Sequence, residues 1–273
     1  MQASELFNQP NTILLDGGMG TMLQAAGMKL GTRPEDLNIE NPELIRSIHA
    51  KYAAAGSRVV NANTFGASPH KLADSKYTLE EVITAGIANC KQAVAPYGAL
   101  VTLDVGPLGE LLEPSGTLAF EDAVAEYGRI VRAGVAAGAD ILYFETFTDL
   151  YEMKAALLAA KENSTLPIMA SMSFEANGRT FTGCTVESFA ATARGLGANA
   201  VGINCSLGPK EIFPMAKRLA EAVPGDFPVF VKPNAGLPRA DGSGYDITPQ
   251  LYAMQMKPYR ELHLFAAGGC CGT

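Results

Sequence analysis

A single (β/α)8 barrel is the fold this sequence predicts, and three observations carry the prediction. Eight short apolar runs alternate with seven helical patterns along the 273 residues. The runs recur mostly at about 30 to 40 residues, the length of a strand–helix unit. Polar and glycine-rich groups fall where the runs end, as active-site residues do at the C-terminal face of such a barrel. An open doubly wound sheet fits less well. The first run closes on Asp16-Gly17-Gly18-Met19-Gly20, which lacks the Gly-x-Gly-x-x-Gly spacing, and no Walker-type loop is present.

The elements follow in order. Residues 13–17 form the first predicted strand, where an apolar run meets Asp16-Gly17-Gly18. A helix over 42–55 leads to a second strand, 58–64, which ends in Asn61-Ala62-Asn63-Thr64-Phe65. Helix 79–95 precedes strand 100–105, which closes on Asp104-Val105-Gly106-Pro107. Helix 120–137 precedes strand 141–146, with Glu145-Thr146 at its end. Helix 150–162 and strand 168–174 follow, then helix 186–196 and strand 200–205, which ends in Asn204-Cys205-Ser206. Helix 209–222 leads to strand 229–233, which opens into Pro233-Asn234-Ala235-Gly236. Helix 249–256 precedes the last strand, 262–267, and the chain closes on Gly268-Gly269-Cys270-Cys271-Gly272-Thr273. Residues 1–273 thus read as one domain whose last helix is missing. The native chain is expected to continue past Thr273, into that helix or into further domains, and the barrel without the helix is expected to be less stable.

Composition narrows the function classes. Hydrophobic residues make up 48% and charged residues 18%, the balance of a compact soluble enzyme. The net charge of −7 offers no basic stripe for nucleic acid. There is neither a signal peptide nor an apolar stretch long enough to span a bilayer, so the protein reads as cytoplasmic. Five cysteines in a reducing compartment argue against a disulfide framework. Cys90 and Cys184 read as small buried hydrophobes.

Cys205, Cys270 and Cys271 read differently. The first ends strand six and the pair ends strand eight, so all three can meet at the barrel mouth. Neighbouring strand residues point to opposite faces, and the pair can share a site only where its strand is ending. The flanking glycines permit that bend. Three thiolates without a fourth protein ligand suggest zinc with an open position. A substrate thiol suits that position, and coordination deprotonates it without a histidine base. His49, His70 and His263 read as core or surface residues. Asp16 and Glu145 end apolar strands, where a carboxylate needs a partner. A substrate ammonium, a structural ion pair or an N-cap role would each answer that need. The amides of Gly17 and Gly18 suit a substrate carboxylate, since small residues let backbone approach an anion.

At these residues the chain resembles the homocysteine S-methyltransferase family over essentially its whole length. The matching segments are Leu15-Asp16-Gly17-Gly18-Met19-Gly20-Thr21, Asn61-Ala62-Asn63-Thr64-Phe65-Gly66, Phe144-Glu145-Thr146, Gly202-Ile203-Asn204-Cys205-Ser206-Leu207-Gly208-Pro209, Lys232-Pro233-Asn234-Ala235-Gly236 and the terminal Gly268–Thr273. Asp36-Leu37-Asn38 with Asn41-Pro42, and Gly106-Pro107-Leu108-Gly109-Glu110, resemble the branch that forms the N-terminal homocysteine-binding module of cobalamin-dependent methionine synthases.

The resemblance implies a zinc barrel that methylates homocysteine to methionine. Cys205, Cys270 and Cys271 would hold zinc, and Asp16 and Glu145 the amino group. Gly17 and Gly18, with Ser173 or Thr146, would receive the carboxylate, and Asn234 would approach the metal when substrate is absent. The implied donor is methylcobalamin on a separate corrinoid-binding module or protein that docks over the mouth. S-methylmethionine and betaine are alternative donors. The absence of Trp disfavours betaine, whose quaternary cation prefers aromatic walls. A non-catalytic zinc or corrinoid-partner scaffold, and a demethylase with the same zinc chemistry, are the readings from other classes.

Overall fold

A computed structural model describes residues 3–29, 31–239 and 244–273. Its strands are β1 (Ile13–Leu14), β2 (Val59–Asn61), β3 (Leu100–Val105), β4 (Ile141–Phe147), β5 (Ile168–Met172), β6 (Ala200–Asn204), β7 (Val229–Lys232) and β8 (Ala266–Ala267). Its α-helices are α1 (Ala3–Leu6), α2 (Met19–Ala25), α3 (Leu37–Glu40), α4 (Pro42–Ala54), α5 (Leu79–Val94), α6 (Phe120–Ala136), α7 (Leu150–Asn163), α8 (Val186–Gly195), α9 (Pro209–Glu221) and α10 (Pro249–Met256).

All strand pairs are parallel, in the order β1-β8-β7-β6-β5-β4-β3-β2. A bridge between Leu15 and Val59, with the Arg58 amide donating to Leu14 O at 2.8 Å, brings β2 back to β1 and closes the ring. The predicted barrel is therefore the observed one. Helix starts follow from local chemistry. Asn41 accepts from the Leu44 amide ahead of Pro42, and Thr78 and Glu81 cap α5 reciprocally. The side chains of Asp149, Thr185 and Thr248 accept from first-turn amides of α7, α8 and α10, without the reciprocal bond.

β5 ends two residues and β6 and β7 one residue before the predicted ends, and three other strands are shorter by more. β1 stops at Leu14, because Gly17 and Gly18 turn away to start α2, a helix the glycine-rich sequence concealed. Within 58–64, pairing ends at Asn61, and a tight turn from Thr64 N to Ala62 O takes the chain out of the ladder. Within 262–267, Lys257–Leu262 is a 3-10 helix that ends on His263 in the left-handed region, so β8 keeps only Ala266–Ala267. Among the described residues no helix follows β8. Gly268–Thr273 instead fold over the end of β1, with Gly269 N on Asp16 O and Tyr52 Oη on Thr273 O.

Strand alternation sorts the side chains. On β3, Val101, Leu103 and Val105 join the layer under the helices, whereas Leu100 joins an inner cluster with Val59, Ile141, Met169 and Phe230. Leu6 of α1 closes the lower end of that cluster. Higher on the same inner faces stand Asp104, Glu145, Ser173, Asn204 and Lys232, all buried. The interior thus turns from apolar to ionic towards the C-terminal ends of the strands.

Gly202 of β6 sits at this boundary, and a Cβ there would lie 2.5 Å from the Phe230 ring. Phe230 is itself wedged edge-on against Tyr143 at 5.6 Å. Gly202→Ala is expected to lower the unfolding free energy by about 1–3 kcal/mol through overpacking, measured by urea denaturation. An unchanged midpoint would show that Phe230 has room to yield.

Candidate active site

A cavity of ≈ 310 Å³ opens at the C-terminal ends of the strands. Asp16, Gly17, Gly18, Glu145, Thr146, Cys205, Cys270 and Cys271 all line it. A second cleft, of ≈ 340 Å³, lies at the opposite end of the barrel around Phe7, Asp226 and His263 and contains none of these residues.

The sulfurs of Cys205, Cys270 and Cys271 lie within 4.8 Å of one another. Three sulfurs about 2.3 Å from one tetrahedral ion stand roughly 3.8 Å apart. The cluster therefore fits a single ion. Backbone geometry produces it. Cys205 and Ser206 both adopt left-handed φ of 63°, which turns Cys205 off the end of β6. The Cys270 amide donates to Pro233 O at 2.9 Å and the Cys271 amide to Asn234 Oδ1 at 3.0 Å. The loop after β7 thereby orients the cysteine pair, which lies beyond the end of β8 as the strand argument required. Without an ion the three sulfurs share protons unevenly. Hydrogen bonds from Cys205 and Cys270 hold the Cys271 thiol down at about 3, while hydrogen bonding to Cys205 and Cys271 and burial raise Cys270 well above the thiol range. A bound cation allows all three to be thiolates together.

The two carboxylates have a partner already, and it is Lys232. Its Nζ lies 2.8 Å from Asp16 Oδ1 and 3.6 Å from Glu145 Oε2. Burial alone would push this ammonium down, but Asp16 and Glu145 carry it well above its usual range. Asp16 also accepts from the Asn61 amide at 2.7 Å. Burial raises Glu145 despite Lys232. With all three groups ionised, the cluster keeps one negative charge in excess.

Asn204 is the hub beneath it. Its Oδ1 accepts from Thr146 N at 2.9 Å and Ser171 Oγ at 2.8 Å, and its Nδ2 donates to Thr146 Oγ1 at 2.7 Å. These bonds hold Thr146 at φ 66°, a costly conformation for a β-branched residue. Ser173 is buried and donates to Asn204 O at 2.8 Å; it does not line the cavity. Asn234 does not line it either, its Oδ1 being committed to Cys271. Gly17 and Gly18 line the cavity with the start of α2, and their amides donate to no described residue.

Sequence reasoning set Asp104 and Asn204 among the polar strand ends without giving either a role, and it missed Lys232 and Glu35 as site residues. A lysine directly after Val229-Phe230-Val231, in a strand buried on both faces, was the available signal. The histidines stay out of the site. His49 is wholly buried, and burial lowers it to about 3; His70 meets Glu110 at the surface. Cys90 is buried in the helix layer and Cys184 is half-buried, both away from the cluster.

Among the described residues, Lys232 is the one cation lining the cavity. Lys232→Met is expected to cost about 3–5 kcal/mol at neutral pH, because it strands buried carboxylates. Without the ammonium Glu145 rises further. A carboxyl raised in the folded state costs nothing below its unfolded pKa and destabilises as pH climbs through the folded one. The deficit of the variant should therefore narrow as pH falls towards about 4, measured by chemical denaturation at a series of pH values. A pH-independent deficit would assign the loss to packing instead.

The profile of the homocysteine S-methyltransferase family matches residues 13–273. The chain is 30% identical over 279 residues to the methionine synthase of Mycobacterium tuberculosis, covering 94% of this chain and 23% of that protein. The methionine synthase of Mycobacterium leprae gives 30% identity over 280 residues with the same two shares. The chain therefore spans less than a quarter of the length of these relatives. Among solved structures, the oxidized form of the homocysteine methyltransferase MmuM from Escherichia coli superposes with a TM-score of 0.84 at 24% identity, covering 99% of this chain and 94% of that one. Its metallated form gives 0.81 at 25% identity, covering 98% and 94%. No described helix is long and apolar enough to cross a membrane. With the profile spanning nearly every residue from β1 to Thr273, the chain belongs to the homocysteine S-methyltransferase family.

Proposed function

We propose that residues 1–273 form one homocysteine-binding domain that transfers a methyl group to the homocysteine sulfur, giving methionine. The observation that carries this reading is a three-sulfur cluster sharing one cavity with an ionic cluster of uncancelled negative charge. Cys205, Cys270 and Cys271 would hold zinc, leaving a fourth position for the substrate sulfur. Zinc bound there supplies Lewis acidity that keeps a thiol deprotonated at neutral pH.

The chain's own residues handle the rest of the amino acid. Asp16 and Glu145 provide the negative charge that attracts its ammonium, and Lys232 keeps their net charge at minus one. The free amides of Gly17 and Gly18, beside Thr146, receive the carboxylate. Asn204 fixes Thr146, and Asn234 fixes the Cys271 backbone. The substrate is thereby held at both ends with its sulfur on the cysteine side, which favours in-line attack on an incoming methyl carbon.

The donor we propose is methylcobalamin, carried on a separate corrinoid-binding module or protein. The likeness to methionine synthases supports this, as does a cavity open at the mouth. Unpaired cysteines suit a reducing compartment, and we place the domain in the cytoplasm.

Two experiments check this. Cys270→Ala is expected to lose metal and thiol methylation together; undiminished metal content and turnover would reject the ligand assignment. A donor panel on zinc-loaded protein with homocysteine should yield methionine from free methylcobalamin. Turnover with S-methylmethionine or betaine alone would reassign the donor, and none with any of the three would leave the scaffold and demethylase readings.

A further inference from the structure

The carboxylates around the proposed ammonium site differ in what they have left to offer. Both oxygens of Asp16 are engaged, one by Lys232 at 2.8 Å and one by the Asn61 amide at 2.7 Å. Glu145 Oε2 has only long contacts, to Lys232 at 3.6 Å and Asn204 Nδ2 at 3.5 Å. Asp104 lines the same cavity, is 6% exposed, and its Oδ1 is buried without a hydrogen-bond partner among the described residues.

The position of Asp104 is built. Its backbone is tied to Thr64 twice, Asp104 N donating to Thr64 Oγ1 at 3.1 Å and Thr64 Oγ1 donating to Asp104 O at 2.8 Å. In register, Asp104 pairs with Tyr143, so Glu145 is the next residue on the same inner face of the neighbouring strand. The two carboxylates thus stand one pleat apart across β3 and β4. Burial, and the Glu145 charge after it, hold the Asp104 carboxyl well above its ordinary range. A buried carboxyl with an unmet oxygen beside a second, loosely held carboxylate costs stability unless a cation arrives between them.

Resting on the homocysteine reading, we propose that Asp104 is a direct ligand of the substrate ammonium together with Glu145, and that it selects thiols that bear an amino group. Asp16 then serves mainly as the anchor of Lys232. An ammonium has three N–H donors, and Glu145 and Asp104 offer acceptors less engaged than the Asp16 oxygens, each of which already takes one bond.

The test is equilibrium binding by calorimetry to zinc-loaded protein, with L-homocysteine and its desamino analogue 4-mercaptobutanoate. Asp104→Asn is expected to weaken homocysteine by about ten- to hundredfold, because a charge-assisted hydrogen bond gives way to a neutral acceptor and an NH2 donor that an ammonium cannot use. The analogue should bind the variant as well as it binds the parent, or better. Asp104→Ser should show the same discrimination without an isosteric amide, and zinc content should be unchanged in both. Equal losses for both thiols would reduce Asp104 to a structural role and overturn the proposal, as would unchanged homocysteine affinity. If the parent protein binds neither thiol, the homocysteine reading itself fails, a result distinct from loss of discrimination at Asp104.

Discussion

The site depends on a buried lysine. Lys232 reaches the barrel axis from β7 and meets Asp16 from the end of β1 and Glu145 from β4. Three strands far apart in sequence are thereby fixed to one another at the level where chemistry is proposed. A buried ion cluster of this kind is weak evidence for stability, since desolvation offsets most of the attraction. Its value is geometric. It sets where the carboxylates stand, and it leaves their charge short of neutral, so the pocket remains attractive to one more cation.

The sulfur cluster complements that arrangement by different means. Among the described residues no side-chain ion pair orients the cysteines; backbone geometry and the Asn234 carboxamide do. The left-handed turn at Cys205-Ser206 and the Pro233 and Asn234 acceptors beneath Cys270-Cys271 bring the sulfurs together. The loop after β7 therefore adjoins both halves of the site, with Lys232 before it and Asn234 within it. A change in this loop is felt at the sulfurs and at the carboxylates together.

Much of this was legible in the amino-acid order. β3 to β7 are buried on both faces and read as continuous apolar runs, so their positions were plain. β1 and β2 were overextended because their polar ends belong to the mouth and leave the ladder, and β8 because its predicted first residues end a 3-10 helix and turn at His263 before pairing begins. The cysteines announced themselves by type and by strand-end position. Asp16 and Glu145 were visible as carboxylates in need of a partner, but that partner was not, because a single lysine after three apolar residues looks like a strand reaching solvent. The role of Asn204 was hidden for a related reason. An asparagine at a strand end reads as one more polar terminus until its carboxamide is seen bonded to Thr146 and Ser171. Convergence across a ring of strands is a property of closure, and single-residue patterns do not carry it.

The apolar plug below the site has a kinetic corollary. Leu6, Phe230 and Phe265 fill the lower barrel, and Phe7 stacks on Phe265 at 5.1 Å. Among the described residues the lower end is thus filled, and the pocket opens at the mouth. On the proposed methyl-transfer reading, a large carrier docked at that doorway would be a stopper over whatever is already inside. The small acceptor would then have to board first, and the methylated product would wait until the carrier departs.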